Sequence, residues 1–282
     1  MIQCQNVFKC YDKKNVLNGI DINIANGQIF GLLGPSGAGK TTLIKILTGQ
    51  IEFDSGKVNI LNKDVAQLTG EDKKKIGIMM DQFGVYERLS CADNLKIFAE
   101  IYGIPHSRVK EILDIVGLGD AMNSSAANLS KGMRARLQLA RVFMHSPEII
   151  FLDEPTSGLD PQSMRAIHKI ILDKKKEGCI IFLTTHNMEE AATLCDTVAL
   201  LNDGKIIESG EPQEVCRKYN HQRKITLHLS DGKDLELAHG EESADKICDL
   251  LKAGRIETIH SSEPTLETVF LELTGRKLQE DK

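Results

Sequence analysis

Short apolar runs alternate with helix-period segments along most of this chain. The run "GQIFGLLG" (27–34) predicts a strand and "GKTTLIKILTG" (39–49) the helix it feeds, closed at Gly49, a residue that tolerates the left-handed conformation of a helix end. Further strands are expected at 57–61, 75–80, 148–153, 179–184 and 197–202. Ile149 to Leu152 are apolar without interruption, as in strands covered on both faces, so the class is α/β with a mostly parallel core sheet. Between about 83 and 145 the strand signal disappears. There "ADNLKIFAEIYG" sets Leu95, Phe98 and Ala99 on one stripe, and "VKEILDIVGL" aligns Val109, Ile112, Leu113 and Val116, which predicts a helical subdomain.

After Gly210 the pattern restarts on a smaller scale. "KITLHL-SDGK-DLELA" is two alternating strands about an Asp-Gly turn, followed by a helix at "SADKICDLLKAG" and a strand at "RIETIH". The last helix, "PTLETVFLELTG", places Leu266, Val269, Phe270 and Leu273 inward, with Pro264 near its start and Gly275 beyond its end. The expected organisation is a main domain over 1–215 and a small α+β domain over 216–282.

Composition narrows the class. With 41% hydrophobic and 27% charged residues, the 282-residue chain is ordinary globular protein. A net charge of −5 argues against nucleic acid as a partner. The lysine clusters at 73–75 and 174–176 stand beside acids and are expected on solvated faces. Seven scattered cysteines with no zinc spacing, behind an N-terminus without a signal-like apolar core, suit a reducing cytosol. No run approaches the roughly 20 apolar residues that span a bilayer. Any service to a membrane is expected from the water side.

"GPSGAGKTT" stands between strand and helix, where Gly34, Pro35, Ser36, Gly37, Ala38, Gly39, Lys40, Thr41 and Thr42 can wrap a nucleotide's phosphates. Backbone N–H groups converge on the oxygens, Lys40 reaches the β- and γ-phosphates, and Thr41 offers a hydroxyl to Mg²⁺. "EIIFLDEPTSGLD" ends a strand in two carboxylates: Asp153 suits Mg²⁺, directly or through water, and Glu154 suits orienting or deprotonating the attacking water. His186 ends the next strand within reach of a γ-phosphate. Gln82 ends a strand at the border of the helical part, where its amide can ligand Mg²⁺ or water and couple that part to the nucleotide. A second anion site is expected at "NLSKGMRARLQLARVF", where Ser130 caps a helix and Gly132 lets a ligand approach the backbone.

In that order and at those distances, "GPSGAGKT", Gln82, "LSKGM", "FLDEPTSGLD" and "TTH" resemble the nucleotide-binding subunit of an ABC transporter over residues 1 to about 215. The resemblance implies a P-loop NTPase, ABC-ATPase fold with an added antiparallel β subdomain. It implies that adenine stacks on Tyr11 with Val16 near it. It also implies a head-to-tail dimer, of identical or different ATPase subunits, in which each ATP lies between one chain's phosphate loop and the other chain's Ser130, Lys131 and Gly132, with Asp160 at the same interface. Lys131 stands where the commonest signature has glycine, and a lysine there resembles a variant of ABC-2 type exporters. A side chain at that point can turn away while the backbone still donates.

"EPTLETVFLELTGR" resembles the ending of ATPases that power ABC-2 type exporters of the drug, antibiotic-resistance and lantibiotic-immunity kinds. The expected protein is therefore a Mg²⁺-dependent ATPase subunit at the inner face of the cell membrane, held there by a separate transmembrane permease. "FGVYERLS" supplies Tyr86, Glu87 and Arg88 for that docking. The alternative, a soluble ABC ATPase of assembly or repair type, lacks the long coiled coil of repair relatives and leaves the exporter-like tail without a purpose. A metabolic P-loop kinase leaves the signature helix and His186 without one.

Overall fold

The chain begins with two long antiparallel strands, β1 (Ile2–Tyr11) and β2 (Lys14–Ile24), which pair Ile2 with Ile24 and Cys4 with Ile22. The computed structural model describes residues 1–12, 14–80, 84–221, 224–261 and 263–275. After β2 come the fully buried β3 (Ile29–Leu33) and helix α1 (Lys40–Leu47). Then β4 (Ser55–Ile60) and β5 (Lys63–Asp64) complete an antiparallel sheet in the order β2-β1-β4-β5. A one-turn helix, α2 (Gly70–Lys73), is closed by a capping box between Thr69 and Asp72 and leads into β6 (Ile76–Met79).

The helical part holds α3 (Cys91–Tyr102), α4 (Ser107–Ile115) and α5 (Lys131–Phe143). Leu95, Ala99, Val109, Ile112, Leu113 and Val116 are all buried, as their spacing requires. The chain then alternates β7 (Ile149–Asp153), α6 (Pro161–Lys176), β8 (Ile180–Thr185), α7 (Met188–Leu194), β9 (Thr197–Asn202) and β10 (Lys205–Gly210). These strands form a six-stranded sheet in the order β10-β9-β3-β8-β7-β6, parallel except for the β9–β10 pair.

Every residue of β3, β7 and β8 is buried; Phe30 stacks on Phe182 at 5.4 Å between ring centroids, and Phe151 meets Phe182 tilted at 5.6 Å. The register sets Leu33 beside Thr185 and Asp153 beside Thr184, so β3, β7 and β8 end together at one sheet edge. In open α/β sheets that carboxyl edge is where ligands bind. Burial here also silences thiols: desolvation pushes Cys4 up to about 12 and raises Cys195 further, so both are inert core atoms.

One expectation fails here. Lys174 is not on a solvated face: it is 7% exposed, its ammonium donates to Glu177 at 2.6 Å and lies 5.3 Å from the Phe143 ring centroid. The aliphatic stem runs along the core, and the head finds a carboxylate and an aromatic face.

This unit spans Met1–Glu211, and a second begins at Pro212. The second holds α8 (Pro212–Lys218), β11 (Lys224–Leu229), β12 (Asp234–Ala238), α9 (Glu241–Lys252), β13 (Ile256–Ser261) and α10 (Leu266–Thr274). The β11–β12 hairpin forms as its alternation predicts, with Leu227 opposite Leu235, and β13 pairs on the other side of β11. Thr265 and Thr268 cap α10 reciprocally, and Gly275 ends it at φ +66°. Leu266, Val269 and Phe270 are buried, but Leu273 is 37% exposed, contrary to the i+7 spacing. It falls in the final turn, one residue before the helix ends. Among the described residues no helix is long and apolar enough to cross a membrane.

Candidate active site

The phosphate loop joins β3 to α1. Gly39 takes φ +111°, and a Cβ on it would stand 2.8 Å from the Val16 carbonyl oxygen, so only glycine fits. Helix α1 starts without a side-chain cap, which leaves its first-turn N–H groups to the loop. Lys40, 7% exposed, donates from Nζ to the carbonyls of Gly34 at 2.7 Å and Pro35 at 3.3 Å, and lies 3.4 Å from Glu154 Oε1.

Beside it, Thr41 Oγ1 donates to Asp153 Oδ2 at 2.9 Å, while the Thr184 hydroxyl donates to the other carboxylate oxygen. Asp153 is thus a buried acid whose two oxygens are each held by a hydroxyl. Glu154 follows at φ +50°, a left-handed backbone uncommon for a non-glycine residue. Its N–H donates to Thr184 O at 3.1 Å, and the strained turn aims its carboxylate at His186, whose Nδ1 lies 2.8 Å from Oε2. A proton on Nδ1 makes that contact a hydrogen bond to the carboxylate.

Two clefts meet at Asp153 and Glu154. One, of about 570 Å³, is lined by Val16, Gly37, Gly39, Lys40 and Thr41. The other, of about 610 Å³, is lined by Lys131, Arg134, Gln138 and Leu159. A carboxylate at their junction, flanked by a cation and an imidazole, can take a proton from water while the loop holds an anion. Thr41 and Asp153 together offer the hard oxygen donors that suit Mg²⁺. Tyr11 is 44% exposed, carries the Lys9 ammonium 5.1 Å from its ring centroid, and does not line the first cleft as Val16 does. Gln82 lies outside the described residues.

The second helix start is formed as its sequence suggests: Ser130 caps α5, accepting from the Met133 N–H at 3.2 Å. Gly132 has a packing reason: a Cβ there would lie 2.2 Å from Ser163 Oγ, so the glycine admits α6. Lys131 reaches across to the loop after β7, where a Cβ on Gly158 would stand 2.3 Å from its Nζ. Asp160 caps α6 through the N–H groups of Gln162 and Ser163, and the Ser163 hydroxyl bonds its other oxygen at 2.6 Å. The hydroxyl of Ser163 above all, then its N–H, holds Asp160 below the usual carboxylate range. Residues that sequence reading passes over include Thr184, present only as part of "TTH", and the buried Thr156 and Glu190 behind the carboxylates.

The family model described as "ABC transporter" matches residues 17–157. A fluoroquinolones export ATP-binding protein of Mycobacterium tuberculosis is 39% identical over 268 residues, covering 93% of this chain and 88% of the relative. A linearmycin resistance ATP-binding protein of Bacillus subtilis is 32% identical, over 99% of this chain and all of its own length. Among solved structures, a dimeric ATP-binding cassette in a post-hydrolysis state, bound to ADP and Pi, superposes with a TM-score of 0.67 at 25% identity, over 75% of this chain and 98% of that one.

Proposed function

This chain belongs to the ABC transporter family as an ATP-binding subunit that hydrolyses ATP, and on that premise we propose that it drives a separate membrane-spanning exporter by closing as a dimer around two ATP molecules. The observation that carries the reading is the Lys40–Glu154–His186 cluster, whose members stand 3.4 and 2.8 Å apart where two clefts meet. The phosphates of ATP lie on loop 34–42, with Lys40 turned to the β- and γ-oxygens and adenine on the exposed face of Tyr11. Glu154 takes the proton of the water whose oxygen attacks the γ-phosphorus, and the bond from that phosphorus to the ADP oxygen breaks. His186 holds Glu154 in place and faces the γ-phosphate. Thr41 and Asp153 would hold Mg²⁺, which would neutralise phosphate charge. Gln82 is proposed as a further ligand on its sequence position alone.

In the dimer each ATP is completed by the partner's signature helix start, where a capped N-terminus and several N–H groups meet the γ-phosphate. Export rather than import is supported by the relatives that align along nearly the whole chain, second unit included, whose names are of export and resistance. The subunit sits at the inner face of the membrane through its permease. Tyr86, Glu87 and Arg88 are exposed on a turn whose backbone is fixed by the buried Asn94, which bonds both the N–H and the carbonyl of Tyr86. That turn is the proposed docking surface. Arg88→Glu is expected to abolish transport in membrane vesicles while ATPase activity of the isolated subunit stays within about twofold, since rim charges act on association rather than on a distant reaction. Undiminished transport by that variant contradicts the docking assignment.

A further inference from the structure

The segments that leave β7 and β8 are linked beyond the two reactive side chains. Asp153 is bonded by Thr184, the Glu154 N–H by the Thr184 carbonyl, and the Glu154 carboxylate by His186. The series continues inward. Thr156 donates its hydroxyl to Glu190 Oε1 at 2.5 Å, and His168 Nε2 lies 3.0 Å from the same oxygen. Thr156 is 4% exposed and Glu190 2%. Glu190 sits in the first turn of α7, its N–H donating to the capping Asn187, which directly follows His186. Its second oxygen, Oε2, is buried with no hydrogen-bond partner among the described residues.

A carboxylate buried with one oxygen doubly bonded and the other bare is a poor stabiliser, because apolar replacement of such groups is often neutral or favourable. What it does well is fix distance. Removing a donor leaves the charge less compensated in a low dielectric, so the links hold as a unit. Each end is attached to chemistry: Thr156 lies two residues after Glu154, Glu190 four residues after His186, and His168 on the helix that Asp160 caps.

We propose that Thr156, Glu190 and His168 form a buried clasp that sets the position of Glu154 against His186, so that all three are positioning residues for ATP hydrolysis. The proposal rests on the reading of Glu154 and His186 given above. A clasp of this kind acts on the reacting arrangement and leaves the phosphate loop, and hence nucleotide affinity, untouched.

The test is steady-state ATPase kinetics on the full chain. Thr156→Val keeps the volume and removes the hydroxyl. It is expected to lower kcat about tenfold, the worth of one hydrogen bond, with KM for ATP within about twofold. Thr156→Ser returns the hydroxyl and is expected to restore kcat to within about threefold. Wild-type kcat in the valine variant overturns the clasp, as does a serine variant no better than valine. Should Thr156→Val fail to fold, His168→Leu and His168→Gln form the same pair, because the glutamine amide can still donate to Glu190. Glu154→Gln, measured alongside, separates the two levels: surviving turnover there defeats the assignment of Glu154 itself, whereas its loss beside an undiminished Thr156→Val defeats the clasp alone.

Discussion

Glu154→Gln is expected to lower turnover by about 10²–10⁴, the usual contribution of a general base, while ATP binding stays intact. The amide keeps the size of the side chain and one acceptor, so the contacts to Lys40 at 3.4 Å and His186 at 2.8 Å change little in geometry. What it cannot do is accept the proton of the attacking water. The backbone argues the same way: a non-glycine residue held at φ +50° costs on the order of 1–3 kcal/mol, and here that conformation turns the carboxylate out of the strand towards both clefts. Single-turnover ATPase kinetics with a parallel nucleotide titration measures both quantities. More than half the activity remaining means another group takes the proton.

Lys40→Ala is expected to fail earlier, at binding. Its ammonium is buried and at present satisfied by the carbonyls of Gly34 and Pro35, with Glu154 near. When phosphates occupy the loop, those contacts to neutral carbonyls give way to contacts with anionic phosphate oxygens. Each such hydrogen bond is worth about 1.5–3 kcal/mol, so its loss weakens ATP binding by roughly 10- to 150-fold. Titration with a fluorescent ATP analogue reads this directly. Affinity unchanged in that variant means that the phosphates do not lie against Lys40.

These two residues were legible in the sequence for a physical reason. Glu154 follows an apolar run, where a strand must stop and a polar side chain is left at the sheet edge, and Lys40 closes the glycine-rich loop that joins a strand to a helix. The same reading finds β3, β7 and β8, whose residues are buried at every position, but it misses β1 and β2. Register shifts between Cys4 and Val7 and between Lys9 and Cys10 break the alternation that marks a half-buried strand, and Gln5 and Asn6 set two polar residues side by side. Helix α6 also goes unassigned, although Asp160 followed by Pro161 is a good start signal.

In the site, proximity explains what could not be read. Thr156 and Glu190 are 34 positions apart, and they meet because α7 turns back over the loop after β7. No local pattern announces such a contact. Gly132 adds a packing reason of the same kind: a Cβ there would meet Ser163 of a neighbouring helix. Lys174 likewise reads as solvated from its charged neighbours, and burial beside Phe143 is visible only once the helix is packed.

We propose that ATPase subunits close on ATP through the signature helix, and a pair of this chain tests it. The most direct measurement is the solution mass of Glu154→Gln by light scattering, without nucleotide and with Mg²⁺ and ATP. A rise from the mass of one chain to that of two on adding ATP is the predicted result, because the variant binds nucleotide and cannot reopen by hydrolysis. A mass that stays at one chain, at ATP concentrations shown by titration to saturate the phosphate loop, contradicts it.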